Sequence, residues 1–395
     1  MKEFVAVQEA KKILQGLSLS RKKVQLPLQK ALGYWTASPI HAPMQVPSFD
    51  NSGMDGYAIA WADEGESRLL AQVVQAGVYP DFSLQKGTAV RIFTGAPVPQ
   101  GADTVVQQEW VHIEGDRIFF EREKLNQGMN LRRAGSQCEQ GQLILSEGTR
   151  ITPGTLGLLA SLGIEEISVI AAPQVSIILT GDEVVEPGQA LQPGQIYNAN
   201  GPALLGYLSQ LGIMDVKVFK VKDDSAEVIR VIREALSSAE VLLLTGGISV
   251  GDYDFVQAGL AENGVEALFY KVKQKPGKPL LAGFKANQLV FALPGNPASV
   301  LSCFMQYVKP CLQQLLGDAN AWQAPQTYPL AQHWKKEGSL TVFLKARLAE
   351  GQIHILPGQE SFNLLSFGIA DGLVEVGEHL SEVEAGTSLP FYPWI

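Results

Sequence analysis

The densest chemical signal in the 395-residue chain is Thr245-Gly246-Gly247-Ile248-Ser249-Val250-Gly251-Asp252-Tyr253-Asp254, set between an apolar run at 241–244 and a helical pattern starting near Phe255. A buried strand that opens through glycines into a helix start can hold an anion. Unpaired N–H groups of the first helical turn point outward, the helix dipole favours negative charge, and glycine lets a phosphate reach the main chain. Two aspartates in the same loop would repel a bare phosphate, so the loop reads as a site for an anion bridged by a divalent cation. Alone, the pattern is equally that of a tight turn needing glycine for steric reasons.

Neighbouring segments repeat the arrangement. Apolar runs at 175–179, 216–221, 269–272 and 289–293 lead into Thr180-Gly181-Asp182-Glu183, Lys222-Asp223-Asp224-Ser225, Gln274-Lys275-Pro276-Gly277-Lys278-Pro279 and Pro294-Gly295-Asn296-Pro297. Helical patterns lie between, with Leu204, Leu205, Leu208 and Leu211 on one face and Val228, Ile229, Ile232 and Leu236 on another. Alternating strand and helix predict a mainly parallel sheet with helices on both faces and every post-strand loop at one edge, where such sheets bind ligands. Asp182, Glu183, Asp223, Asp224, Asp252 and Asp254 should therefore meet Lys271, Lys275 and Lys278 in one cleft.

Around this α/β core the elements change. Residues 1–17 carry Phe4, Val7, Ala10, Leu14 and Leu17 at helical spacing with Lys11 and Lys12 opposite, an amphipathic helix rather than a signal peptide or membrane span. Short strand patterns fill about 26–142 and return from about 340, and Thr152-Pro153 marks a helix start. The expected division is a 1–21 helix packed on the α/β domain, a linking domain from 22–42 and 143–172, a β-rich domain at 43–142, the α/β domain at 173–322 and a small C-terminal β-barrel domain at 323–395. A net charge of −9, from 31 basic and 40 acidic residues, argues against nucleic-acid or membrane partners. Cys138, Cys303 and Cys311 lack metal-ligand spacing and read as free thiols in a reducing, cytoplasmic setting, with Cys303 and Cys311 as packing residues.

Ser52-Gly53-Met54-Asp55-Gly56-Tyr57-Ala58, Arg91-Ile92-Phe93-Thr94-Gly95-Ala96-Pro97 and the motifs at 180–183, 245–251, 275–279 and 293–297 together resemble the successive signatures of the molybdopterin molybdenumtransferases, the MoeA and gephyrin E-domain family. The resemblance spans nearly the whole chain. It implies an elongated homodimer acting on small molecules: a transferase that uses magnesium to insert molybdate into adenylylated molybdopterin with release of AMP. It also suggests a molybdopterin adenylyltransferase as a candidate partner.

The residues suit two anionic reactants. Prolines restrict the backbone around Lys275 and Lys278 and so lower the entropy cost of holding two ammonium groups. A charge pair at ~4 Å and an effective dielectric of ~20 contributes about 4 kcal/mol. By resemblance, Asp55, Glu183, Asp254, Lys271 and Lys275 are catalytic, with Asp55, Glu183 and Asp254 as metal ligands. Thr94, Thr180, Gly181, Asp223, Gly246, Gly247, Ser249, Lys278, Pro294, Gly295, Asn296, Ser299 and Ser366 line the substrate site, Lys278 and Ser299 on the molybdate side. Plainer roles stand beside several of these: Asp55 could shape a turn, Asp223 could cap a helix, Lys271 could be surface charge on an edge strand, and 294–297 could be only a turn.

Two positions depart from the family pattern. Gln137 stands where a carboxylate is usual, and Lys345 replaces an arginine, keeping charge while losing the planar fork that grips an oxyanion. Two other functions therefore remain open: adenylylation of molybdopterin one step earlier, and a cofactor-binding scaffold with reduced catalysis.

Overall fold

The computed structural model describes residues 1–248 and 255–394. At its centre lies a seven-stranded sheet in the order Lys2–Val5, Glu266–Val272, Leu281–Lys285, Gln288–Leu293, Val241–Thr245, Val175–Thr180, Val216–Val221. Leu281–Lys285 runs antiparallel to both neighbours and every other pairing is parallel, so six strands point the same way. The sheet is mainly parallel, as the alternation of elements predicted. Val175–Thr180 and Val241–Thr245 are buried throughout, because helices cover both faces and leave no polar side. Successive residues divide between the two cores: Ile177 and Leu243 join Leu204, Leu208 and Ala10 on one face, while Ile178 and Leu244 join Val228, Ile232 and Leu260 on the other.

The segment 1–17, expected as a single helix, is divided. Lys2–Val5 adds a strand parallel to Glu266–Val272, and helix Val7–Gln15 follows, burying Val7, Ala10 and Leu14. Four residues are too few to show a period of two within a longer helical pattern. The added strand also corrects the placement of Lys271, whose strand is paired on both sides and is not an edge.

Outside the central sheet, a six-stranded sheet has the order Thr104–Gln107, Gly56–Ile59, Thr88–Ile92, Ser67–Val74, Arg117–Phe120, Val111–Glu114. Lys23–Pro27 pairs with Glu166–Ile170 and Ile40–His41 with Leu143–Leu145, tying together segments distant in sequence. Thr152 caps helix Pro153–Ser161, accepting from the Thr155 N–H at 3.2 Å. At the C-terminus Thr341–Ala349, Gly372–Val376 and Ser388–Pro393 form an antiparallel sheet. The two-residue strand Gln274–Lys275 joins it, parallel to Thr341–Val342. The chain thus leaves the central sheet at Val272 and enters the C-terminal one at Gln274. Among the described residues no helix is long and apolar enough to cross a membrane.

Candidate active site

A cleft of about 690 Å³ opens where the post-strand loops converge. Thr180, Glu183, Gly246, Gly247, Lys275, Lys278, Pro294, Gly295, Asn296 and Ser299 all line it. Four separate chain segments supply these ten residues, and the shared direction of the strands brings them to one edge of the sheet. Ser249 and Asp254 lie outside the described residues.

The main chain at the first glycine has no room for a side chain. A Cβ on Gly246, whose φ is +86°, would lie 2.5 Å from Thr180 Oγ1 and 3.0 Å from its carbonyl oxygen. Thr180 in turn donates its hydroxyl to the Thr245 carbonyl at 3.1 Å, locking the ends of two adjacent strands. Across the cleft, Asn200 donates to the Gly295 carbonyl at 2.9 Å, while its own side-chain oxygen is buried without a partner. Lys275 and Lys278 are exposed, whereas Gln274, Pro276 and Gly277 between and beside them are buried. The loop therefore presents its ammonium groups and hides its backbone. Lys278 Nζ rests 5.2 Å from the ring of Phe4.

Carboxylates gather beside the cleft. Burial, and then the nearby Asp182 and Glu183, raise the Asp223 carboxyl above its ordinary value, against a hydrogen bond from the Asp182 main chain. Asp223 is not the helix cap. Asp224 is, accepting from the Glu227 N–H at 2.8 Å. Gly181 sits against the Glu183 carboxylate, 2.8 Å from where its Cβ would be, and lines a smaller neighbouring pocket with Asp182.

The other predicted residues lie elsewhere in this chain. Asp55 and Thr94 belong to the six-stranded-sheet domain and hold each other: Thr94 donates its N–H at 2.8 Å and its hydroxyl at 2.7 Å to Asp55 Oδ1. Those two bonds, with Arg91 nearby, keep the Asp55 carboxyl below its ordinary value. Lys271 adopts φ +64° and extends over the Tyr270 ring at 4.7 Å, outside the cleft lining. Ser366 is buried behind the cleft wall and donates to the Gly358 carbonyl at 3.0 Å. Lys345 is buried too, its ammonium donating to the carbonyls of Gly358, Asn363 and Glu360 at 2.6, 3.0 and 3.3 Å. Its charge is spent on the main chain rather than offered to an oxyanion. Gln137 is exposed, its backbone N–H bonded to the Val46 carbonyl at 2.9 Å.

Sequence reading missed part of the wall. Gln359 and Ser361, from the C-terminal domain, line the cleft together with Tyr197, Asn198 and Asn200. Asn296 donates its amide to Ser361 Oγ at 3.0 Å, and the Ser361 carbonyl accepts from the Ala298 N–H at 3.1 Å. The first helical N–H groups after Asn296 are thus partly used within the protein. Asn198-Ala199-Asn200 before a helix was the available signal, since asparagine clusters at helix starts. No local pattern marks 359–361.

Three family models match in chain order: "MoeA N-terminal region (domain I and II)" at 5–163, "Probable molybdopterin binding domain" at 176–314 and "MoeA C-terminal region (domain IV)" at 327–394. A molybdopterin molybdenumtransferase of Haemophilus influenzae is 38% identical over 322 residues, covering 80% of this chain and 79% of its own. Molybdopterin molybdenumtransferase 2 of Mycobacterium tuberculosis is 31% identical over 400 residues, covering 97% and 98%. Two MoeA structures from Pyrococcus horikoshii superpose with TM-scores of 0.84 and 0.83 at 29% and 25% identity, covering 98% or more of every chain. Fold, cleft and matches define a transferase of molybdenum cofactor biosynthesis with a molybdopterin-binding α/β domain. The chain belongs to the MoeA family, the molybdopterin molybdenumtransferases.

Proposed function

We propose that the cleft inserts molybdate into adenylylated molybdopterin and releases AMP. The convergence of Lys275 and Lys278 with Glu183 and the Gly246-Gly247 and Gly295-Asn296 turns supports this reading. Both reactants are anions, and two ammonium groups on a buried, proline-restricted loop offset their repulsion with little ordering left to do on binding. Gly295, where a Cβ would meet nothing nearer than 3.8 Å, leaves the main chain open to a phosphate, and Ser299 shares the lining with Lys278. No protein nucleophile is needed: the chain positions the reactants and neutralises charge.

Magnesium suits the acidic side of the cleft, because burial first, and then repulsion from Asp182 and Glu183, raise Asp223, and a cation between the carboxylates would relieve the repulsive part. Glu183 would hold it from this chain, with Asp223 adjacent. When bound, it would supply polarisation of the phosphoanhydride. Asp55 and Thr94, placed on a different domain and away from their own chain's cleft, support a homodimer in which this pair serves the partner's site.

The decisive experiment supplies adenylylated molybdopterin, magnesium and molybdate and measures AMP. Release that depends on molybdate and disappears in Lys275→Ala and Glu183→Ala, both folded, supports the assignment. Pyrophosphate release from ATP would instead indicate adenylylation, and ligand binding without AMP a scaffold.

A further inference from the structure

The loop that carries the two cleft lysines is built around a buried amide. Gln274 is fully buried. Its side-chain NH₂ donates to the carbonyls of Pro276 at 3.0 Å and Gly277 at 3.3 Å, and its oxygen accepts from the hydroxyl of Tyr307, also fully buried. Cys303, one helical turn before Tyr307, closes the nest. Its thiol lies 3.6 Å from the Gln274 amide nitrogen and 3.5 Å from the Gly277 carbonyl. A Cβ on Gly277, at φ +85°, would meet Cys303 Sγ at 2.5 Å and the Gln274 amide nitrogen at 2.9 Å.

Prolines at 276 and 279 remove two main-chain donors from this loop, so its inward carbonyls need side-chain partners. The Gln274 amide reaches both, and the Cys303 thiol is a second donor to Gly277. Since the carbonyls of 276 and 277 turn in, the side chains of Lys275 and Lys278 are left on the cleft surface, while the strand pairing to Thr341–Val342 fixes the loop's base. We propose that Gln274, held in turn by Tyr307, is the positioning residue that sets Lys275 and Lys278 toward the bound oxyanions, so that the hydrogen bond between Tyr307 and Gln274 governs catalysis from behind the cleft.

This role rests on the reaction assigned above, and the test separates the two. Gln274→Met, Tyr307→Phe, Lys275→Ala and the double variant Gln274→Met/Lys275→Ala are assayed for molybdate-dependent AMP release. The same proteins are followed by amide hydrogen exchange at Lys275, Gly277 and Lys278. Gln274→Met is expected to lower kcat/KM on the order of a hundredfold, as displaced catalytic groups do. Lys275→Ala should add little in that background, because both changes disable one unit. Tyr307→Phe, which keeps the ring, should show a smaller loss in the same direction and serves if Gln274→Met does not fold. Exchange should quicken at the three loop amides and stay unchanged in the central sheet. Additive losses, or loop exchange equal to that of the unaltered protein, would overturn the proposal. If the unaltered protein released no AMP, the assigned reaction would fall while loop exchange still decided the positioning role.

Discussion

Lys345 Nζ donates to the Gly358 carbonyl at 2.6 Å, so a residue expected beside an oxyanion instead organises the loop that walls the cleft. Burial lowers its ammonium below the ordinary lysine value, with Glu360 opposing the shift. Lys345→Met would take the ammonium donor from the Asn363 and Glu360 carbonyls and leave Gly358 only its bond from Ser366, and an acceptor left unpaired away from water costs about 1–3 kcal/mol. Urea denaturation should show a clear loss of stability, with weaker substrate binding as residues 358–363 loosen. Lys345→Arg should not raise turnover. A faster arginine variant would mean that this position reaches substrate after all.

The acidic side of the cleft makes a second prediction. Asp182, Glu183 and Asp223 repel one another, and Asp182 does not line the main cleft. Asp182→Asn should therefore raise the Tm of the protein without magnesium and, on the proposed reading of a magnesium site here, shrink the further rise expected on adding magnesium, since a cation would bind the folded protein more weakly with one negative charge gone. Thermal melts with and without magnesium measure both. An unchanged magnesium response would remove the carboxylate at 182 from the cation's surroundings.

Much of this geometry was legible because strand direction is encoded in alternation. Glycine and proline turns after apolar runs at 175–179, 241–244, 269–272 and 289–293 had to fall at one edge once the strands were parallel, and Glu183, Gly246, Lys275 and Asn296 do. Residues whose role depends on contacts far along the chain were not legible. Ser361 reaches the cleft only because the C-terminal domain folds back on Asn296, and Gln274 looks in sequence like any polar residue before a loop. Lys11 was read as the solvent side of an amphipathic helix, whereas the C-terminal sheet covers it. Helical periodicity describes one element's faces and says nothing of what a later domain places against the polar one.

Gly246 offers a sharp steric test. With φ at +86° and Thr180 Oγ1 2.5 Å from the position of a Cβ, Gly246→Ala meets both strain and a clash. Strain of this kind costs about 1–3 kcal/mol. Loss of activity should exceed loss of stability, because the displaced turn borders the cleft. Pairing it with Thr180→Ser would not relieve the clash, since the hydroxyl remains. Thr180→Ala should partly rescue folding, and a double variant no more stable than Gly246→Ala would show that backbone conformation alone sets the cost.

Lys11 ties the first helix to the C-terminal sheet. Its ammonium donates to Gln306 Oε1 at 2.7 Å and Tyr392 Oη at 2.9 Å, with Glu375 at 3.8 Å and the Tyr392 ring at 4.5 Å. Burial pulls its pKa from 10.5 down to about 8, with Glu375 opposing that shift. A base whose folded pKa is lowered binds its proton more weakly in the folded state. Below pH 8 both states are protonated and the cost of burying the charge is fully present. Between about 8 and 10.5 the unfolded chain keeps the proton and the folded protein releases it, so this group's contribution to stability improves as pH rises, by up to about 3 kcal/mol. Lys11→Met lacks the titrating group, so subtracting its stability from that of the unaltered protein cancels most other titrations. The difference should be nearly flat from pH 6 to 7.5, then move in favour of lysine through pH 10. Urea denaturation at stepped pH measures it. A difference that stays flat across the whole range would mean that the ammonium is solvated rather than enclosed between the helix and the sheet.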